Sequence, residues 1–336
     1  MTVSPLRFGL IGTGRIGKVH AHSIFVDPDT ELSWVADPFV DGAVRVGARY
    51  GAKVSDSAAE VIASGEIDAL LIASPTPTHI ELIEAAIDAG IPVLCEKPID
   101  LDIDRVNALR AKVHASGVPV ALGFNRRFDA SFASARSRVN SGEIGHLEQL
   151  LIISRDQSAP PEPYIAVSGG IFRDMTIHDF DMARFFVPDI VEVSAVGTGM
   201  FDEGAREHGD FDTAVAVLRS ASGTIVSITN SRHCAFGYDQ RIEAFGSTGM
   251  LHVANPGRSL VSLSSELGVE TKETYLDNFL ERYAGAYTAE LQEFIKLVRG
   301  EPSTSPTFED GRAALMLADA AQLSATEHIV VPVDLS

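Results

Sequence analysis

Short apolar runs alternate with longer segments of helical period through the first 123 residues. Arg7–Ile11, Glu31–Ala36, Asp68–Ser74, Val93–Cys95 and Pro119–Phe124 read as strands. Lys18–Val26, Asp41–Tyr50, Ser57–Ala63, His79–Ala89 (capped by Thr78) and Asp102–Ala115 read as helices between them. Strands alternating with helices predict an α/β fold, a doubly wound parallel sheet of the Rossmann type, over residues 1–123.

Past Gly123 the pattern changes. A helix over Phe128–Asn140 precedes Glu148–Ser154, Glu192–Val196, Thr213–Arg219, Thr224–Ser231 and Arg241–Phe245. Several of these show the alternation of a half-buried antiparallel sheet. Ala286–Arg299 and Phe308–Ser324 read as helices, and Ile329–Val333 as a closing strand. Residues 124–336 thus read as an α+β domain with a large open, mainly antiparallel sheet for substrate binding and oligomerisation. The C-terminal helices are free to pack back on the first domain. The proline-bearing loop Asp156–Tyr164 reads as a semi-rigid connection able to line a pocket.

The junction of the first strand and helix is Gly12-Thr13-Gly14-Arg15-Ile16-Gly17. Strand, glycine turn and helix in that order make a dinucleotide site. The first glycine permits the tight turn and the second lets the backbone approach a pyrophosphate. The third allows close helix–strand packing, and the helix N-terminus offers N–H donors to phosphates. Asp37, 25 positions after Gly12, closes the second strand. A carboxylate there accepts hydrogen bonds from ribose hydroxyls and repels a 2′-phosphate, which points to NAD rather than NADP. Ligands of doubly wound sheets bind beyond the carboxyl ends of the strands. Gly12, Asp37, Thr76, Lys97 and Asn125 all fall at such ends. Lys97 follows Glu96, which can pair with it or contact the cofactor, and precedes Pro98, which fixes the turn. A plain surface turn is the competing reading; the place on the rim favours a functional lysine.

One stretch of the second half carries chemistry: GGIFRDMTIHDFDMARFF, residues 169–186. Asp174, His178 and Asp181 stand at i, i+4 and i+7, on one face of a helix. An imidazole titrates near neutral pH, and a neighbouring carboxylate fixes its tautomer, so the face can handle protons. The same pattern also fits an acid-rich helix start whose histidine caps or packs. The glycine turn at the other end of the chain favours the first reading.

Composition removes other classes. A formal charge of −19 over 336 residues argues against nucleic acid as partner. No run is long and apolar enough to span a bilayer, and the N-terminus lacks a basic segment followed by an apolar one, so no membrane role is expected. Two cysteines, Cys95 and Cys234, make no framework and suit a reducing cytoplasm. His233 beside Cys234 lacks further ligands at matching spacing, so no metal is expected.

Taken together the motifs resemble the glucose–fructose oxidoreductase / inositol dehydrogenase family of NAD(P)-dependent oxidoreductases. The likeness runs almost end to end: GTGRIGKVHA at 12–21, VADPF at 35–39, ASPTPTH at 73–79, VLCEKPI at 93–99, GFNRRFD at 123–129, SGGIFRDMTIHDFDMARF at 168–185, GYDQRIEAFGSTG at 237–249 and EDGRAALMLADAA at 309–321. EKP with a downstream D-x-x-x-H marks the broad family, and the fuller runs narrow it toward the inositol branch. The resemblance implies that Lys97, Asp174 and His178 form the catalytic group. It implies that Gly12, Gly14, Gly17 and Asp37 hold NAD, with Thr76, His79, Glu96 and Asn125 nearby, and that Arg127, Asp181 and Tyr238 help hold a polyol. It also implies a homotetramer that buries the open face of the second sheet. The loop from Asp156 to Pro160 departs from the pattern and bears on substrate preference.

Oxidising a secondary alcohol removes a hydride and a proton. The proton needs a base with a pKa near the working pH, and His178 suits that role. Asp174 would orient its ring, and Lys97 would donate to the reacting oxygen and stabilise developing negative charge. An uncharged polyol is recognised by several directional hydrogen bonds, for which Arg127, Asp156, Asp181 and Tyr238 are candidates. An ion pair for Arg127 and core packing for Tyr238 are the alternatives. The activity the resemblance implies is NAD-dependent oxidation of myo-inositol to 2-keto-myo-inositol, with another inositol isomer or a pyranose as variants. A non-catalytic NAD-binding regulator predicts erosion of the catalytic group, yet all three residues are present.

Overall fold

The computed structural model describes residues 4–336. The chain forms two compact units: residues up to Phe128 with Gly285–Arg312, and Asp129–Ala284 with Ala313–Ser336.

The first unit is built on six parallel strands: β1 (Leu6–Ile11), β2 (Thr30–Ala36), β3 (Lys53–Ser55), β4 (Ala69–Ile72), β5 (Val93–Cys95) and β6 (Val120–Leu122). Their order is β3-β2-β1-β4-β5-β6. This is the doubly wound Rossmann arrangement, with the reversal between β1 and β4. Strand β4 is buried at every position, as a central strand covered on both faces must be. Phe8, Leu10, Val35 and Leu71 form the core with Leu291 and Phe294 from the helix Ala284–Val298. Phe8 and Phe294 meet edge to face at 6.1 Å. Each such fully buried side chain contributes about 1.5–3 kcal/mol. Strand β3, too short to show a period, is an addition to the expected elements. Thr78 does not cap the following helix: its hydroxyl donates back to Pro75 O at 2.8 Å, within a 3₁₀ turn over Thr76–Thr78.

The second unit carries a seven-stranded sheet. Its strands are β7 (Leu147–Arg155), β8 (Ile190–Thr198), β9 (Thr213–Ser220), β10 (Ile225–Ser231), β11 (Asp239–Gly246), β12 (Gly249–Val253) and, after the hairpin β13 (Ser262–Ser265) and β14 (Gly268–Lys272), β15 (Val331–Pro332). The order is β12-β11-β7-β10-β9-β8-β15. All neighbours are antiparallel except β7 and β10, which run parallel. Side chains alternate as the pleat requires. Ala214, Ala216, Leu218, Val226 and Ile228 are buried, whereas Val215, Val217, Ile225, Phe245 and Met250 on the other face are exposed. The proline-bearing loop ends in a short helix, Glu162–Ser168, that periodicity did not reveal.

Candidate active site

In the first unit the expected residues gather at the carboxyl edge of the parallel sheet. Gly12 has φ +95°, and a Cβ there would lie 2.5 Å from the Ala73 carbonyl oxygen. A Cβ on Gly17 would lie 2.1 Å from Gly12 O, so helix and turn can approach only with glycine at both. Gly14 is different: its Cβ would meet nothing within 4 Å. It opens the helix Arg15–Val26 with no side-chain cap and no acid in the first turn. A helix start of this kind, with no side-chain cap and no acid beside it, suits an anion such as a pyrophosphate.

Asp37 does more than the sequence suggested. Thr13 donates to its Oδ2 from the backbone N–H (2.8 Å) and the hydroxyl (2.7 Å), and Phe39 N–H donates to Oδ1 at 2.9 Å. Burial acts to raise its pKa, but these three hydrogen bonds outweigh it and hold the carboxyl below its ordinary value. The group stays ionised at neutral pH and has one lone pair left for a ribose hydroxyl. Gly42 makes room for this latch, since a Cβ there would lie 2.1 Å from Thr13 Oγ1. Gly42→Ala is expected to raise KM for NAD about tenfold, the worth of one hydrogen bond to a charged group, with kcat little changed. Steady-state kinetics varying NAD checks this, and an unchanged KM would show that the latch does not set affinity.

Further along the same edge, His20 is 1% exposed and its Nε2 lies 2.7 Å from Glu96 Oε1. A Cβ on Gly123 would touch the Glu96 carboxyl at 3.0 Å. Glu96 is thus fixed, and the half-buried Lys97 follows it directly. Thr76 is half-buried at the start of the 3₁₀ turn. His79 is buried with Nδ1 2.8 Å from Pro98 O and Nε2 2.9 Å from Ser74 O, so it ties two rim loops together. Asn125 is 3% exposed, and among the described residues its Nδ2 finds no partner. A buried amide donor on the same sheet edge as an open glycine cradle fits a dinucleotide. Arg127 donates to Asp310 Oδ1 at 3.0 Å, an ion pair within this unit.

In the second unit Gly169 (φ +82°) ends the helix Glu162–Ser168, and Gly170 (φ +87°) turns the chain into a π turn over Phe172–Thr176. The α-helix Ile177–Phe186 continues from it. The expected uniform helix therefore begins with one wide turn, of the kind found at functional sites. Asp174 and His178 are half-buried; Asp181, at 1% exposed, is enclosed. Asp174 is held by residues the sequence did not single out. Tyr164 donates its hydroxyl to Oδ1 at 2.7 Å, and Arg232 Nη1 donates to Oδ2 at 3.2 Å. Arg232 is fully buried, and its Nη2 reaches Asp210 at 3.3 Å. Asp210 in turn accepts from Ile171 N–H at 2.8 Å, at the head of the π turn. Asp156 is half-buried just past β7, its N–H donating to Ser231 O at 2.9 Å. Tyr238 is 4% exposed and packs edge to face on Tyr283 at 6.1 Å.

A Rossmann unit with a fixed acid at the end of its second strand, joined to a unit bearing a fixed carboxylate and a histidine, is the arrangement of an NAD-dependent oxidoreductase. A family model described as "Oxidoreductase family, NAD-binding Rossmann fold" matches residues 6–124, and one described as "GFO/IDH/MocA C-terminal domain" matches residues 132–252. The chain belongs to the GFO/IDH/MocA oxidoreductase family and is an NAD-dependent dehydrogenase. It is 44% identical to an inositol 2-dehydrogenase of Rhizobium meliloti, over 96% of this chain and 97% of that one. It is similar to the crystal structure of a myo-inositol dehydrogenase from Corynebacterium glutamicum, with a TM-score of 0.96 and 51% identity over 98% of this chain and 99% of that one. A scyllo-inositol dehydrogenase from Lactobacillus casei, solved with NAD(H) and scyllo-inositol, matches with a TM-score of 0.91 and 30% identity over 98% and 99% of the two chains.

Proposed function

We propose that the protein oxidises myo-inositol to 2-keto-myo-inositol (scyllo-inosose) in polyol catabolism, acting in the cytoplasm. The observation that carries this reading is the 44% identity to an inositol 2-dehydrogenase across nearly the whole chain. The presence of Lys97, Asp174 and His178 supports it. Bound NAD supplies the hydride acceptor. His178 takes the hydroxyl proton, Asp174 orients the imidazole and stabilises its charged form, and Lys97 donates to the oxygen as negative charge develops. The turn Gly12–Gly17, Asp37 and the Asn125 amide hold the cofactor, with Thr76 and Glu96 beside them. Arg127, Asp156, Asp181 and Tyr238 recognise the ring hydroxyls. The exposed apolar sheet face bearing Val215, Val217, Ile225 and Phe245 supports a homotetramer that covers it. Similarity to the scyllo-inositol dehydrogenase favours scyllo-inositol as the second substrate reading.

The test is NADH formation by the purified protein with NAD and a panel of myo-, scyllo- and D-chiro-inositol and glucose. The highest kcat/KM is expected for myo-inositol. A higher value for scyllo-inositol would install the second reading, and tight NADH binding without turnover of any member would favour a regulator.

A further inference from the structure

Beneath the π turn, strand β10 ends in Asn230 and Ser231. Asn230 is 3% exposed, and the two helix residues it meets, Thr176 and Asp179, are fully buried. Thr176 Oγ1 donates to Asn230 Oδ1 at 2.9 Å and lies 3.2 Å from Ile171 O, inside the wide turn. Asn230 Nδ2 donates to Asp179 Oδ2 at 2.7 Å. One side-chain amide therefore joins the last residue of the π turn to the first turn of the α-helix. The two residues it grips stand two before and one after His178. A π turn departs from the regular helix and leaves the azimuth of the succeeding residues to outside contacts. Asn230 supplies such a contact, with its one carbonyl and its NH₂ each engaged.

We infer that Asn230 is a positioning residue for His178, acting through Thr176 and Asp179. This rests on the reading of His178 as the base. The polarity of the pairing makes it testable. Asn230→Asp removes the donor and sets two carboxyl groups against each other. Adding Asp179→Asn restores one donor and one acceptor, with the amide now on the helix, and the Thr176 hydroxyl still meets a carboxyl oxygen.

Steady-state kinetics of the full chain with NAD and myo-inositol read the outcome. Asn230→Asp is expected to lower kcat about 10- to 100-fold, as misplacement of a catalytic group does, with KM for NAD within about twofold. The double variant is expected to recover to within about threefold of wild type, the non-additivity of a direct pair. Wild-type kcat in the single variant overturns the inference, as does a folded double variant no better than the single. Should Asn230→Asp fail to fold, Thr176→Val removes only the hydroxyl and is read by the same criterion. The ¹H–¹³C signal of the His178 ring, assigned by its loss in His178→Ala, separates this inference from the functional reading. It should move in the single variant and return in the double whether or not inositol is the substrate. An unmoved signal overturns the inference, whereas an inactive wild type with the expected signals overturns only the reading of function.

Discussion

Lys97→Met and His178→Ala are each expected to lower turnover about 100- to 1000-fold while NADH still binds, the loss typical of one preorganised electrostatic or proton-handling group. The size of the loss reflects how the two residues are held. Lys97 follows Glu96, whose carboxyl is fixed by the buried His20 and by the close approach of Gly123. Methionine keeps the apolar stem of lysine and removes the ammonium, so the loss reports charge and hydrogen bonding rather than packing. His178 stands one residue into the helix that leaves the π turn and is half-buried, so alanine there opens little of the core. Neither residue lies in the glycine turn or the Thr13–Asp37 latch, and NADH fluorescence titration should give nearly wild-type affinity. Near-normal turnover in either variant would remove that residue from the mechanism.

Arg232→Met is expected to destabilise the protein by about 3–5 kcal/mol, the usual cost of removing one partner from a buried ion pair. Arg232 is fully enclosed and lies between Asp174 and Asp210, whose side chains are 16% and 5% exposed. Methionine fills much of the volume but leaves both carboxylates without that cation. For a unit of this size the loss corresponds to a fall in thermal midpoint of about 6–20 °C. Turnover should fall as well, because Asp174 keeps its Tyr164 contact but loses its hold on Arg232. Adding Asp210→Asn removes one of the stranded charges and should restore part of the stability. A thermal midpoint equal to wild type in Arg232→Met would show that the two acids are satisfied without it.

The alternation of strands and helices in the first 123 residues was legible because every element there is local and its burial is periodic. The glycine turn and Asp37 were legible for a related reason: the chemistry of a dinucleotide demands those residue types at a short, fixed spacing. What the pattern did not show is long-range pairing. Asp37 was expected at the ribose, but its grip on Thr13 depends on two strand ends meeting. Arg232 reaches Asp174 across 58 positions and Asp210 across 22, and no period links them. In the sequence it is only an arginine close after an apolar strand. The π turn escaped because Asp174, His178 and Asp181 fit a regular helix equally well, and nothing in the residue types of Phe172–Thr176 distinguishes a widened turn from an α-helical one. The period that predicts a helix over Ala286–Arg299 matches the helix Ala284–Val298, but its role in the first unit's core rests on Phe294 against Phe8, a tertiary contact.

The most direct test of the proposed reaction is the fate of the hydrogen on C2. Incubated with NAD and myo-inositol deuterated at C2, the protein should form reduced cofactor carrying that deuterium in equal amount to 2-keto-myo-inositol. Unlabelled NADH would mean that another carbon is oxidised, and no reduced cofactor despite tight NADH binding would contradict the dehydrogenase reading itself.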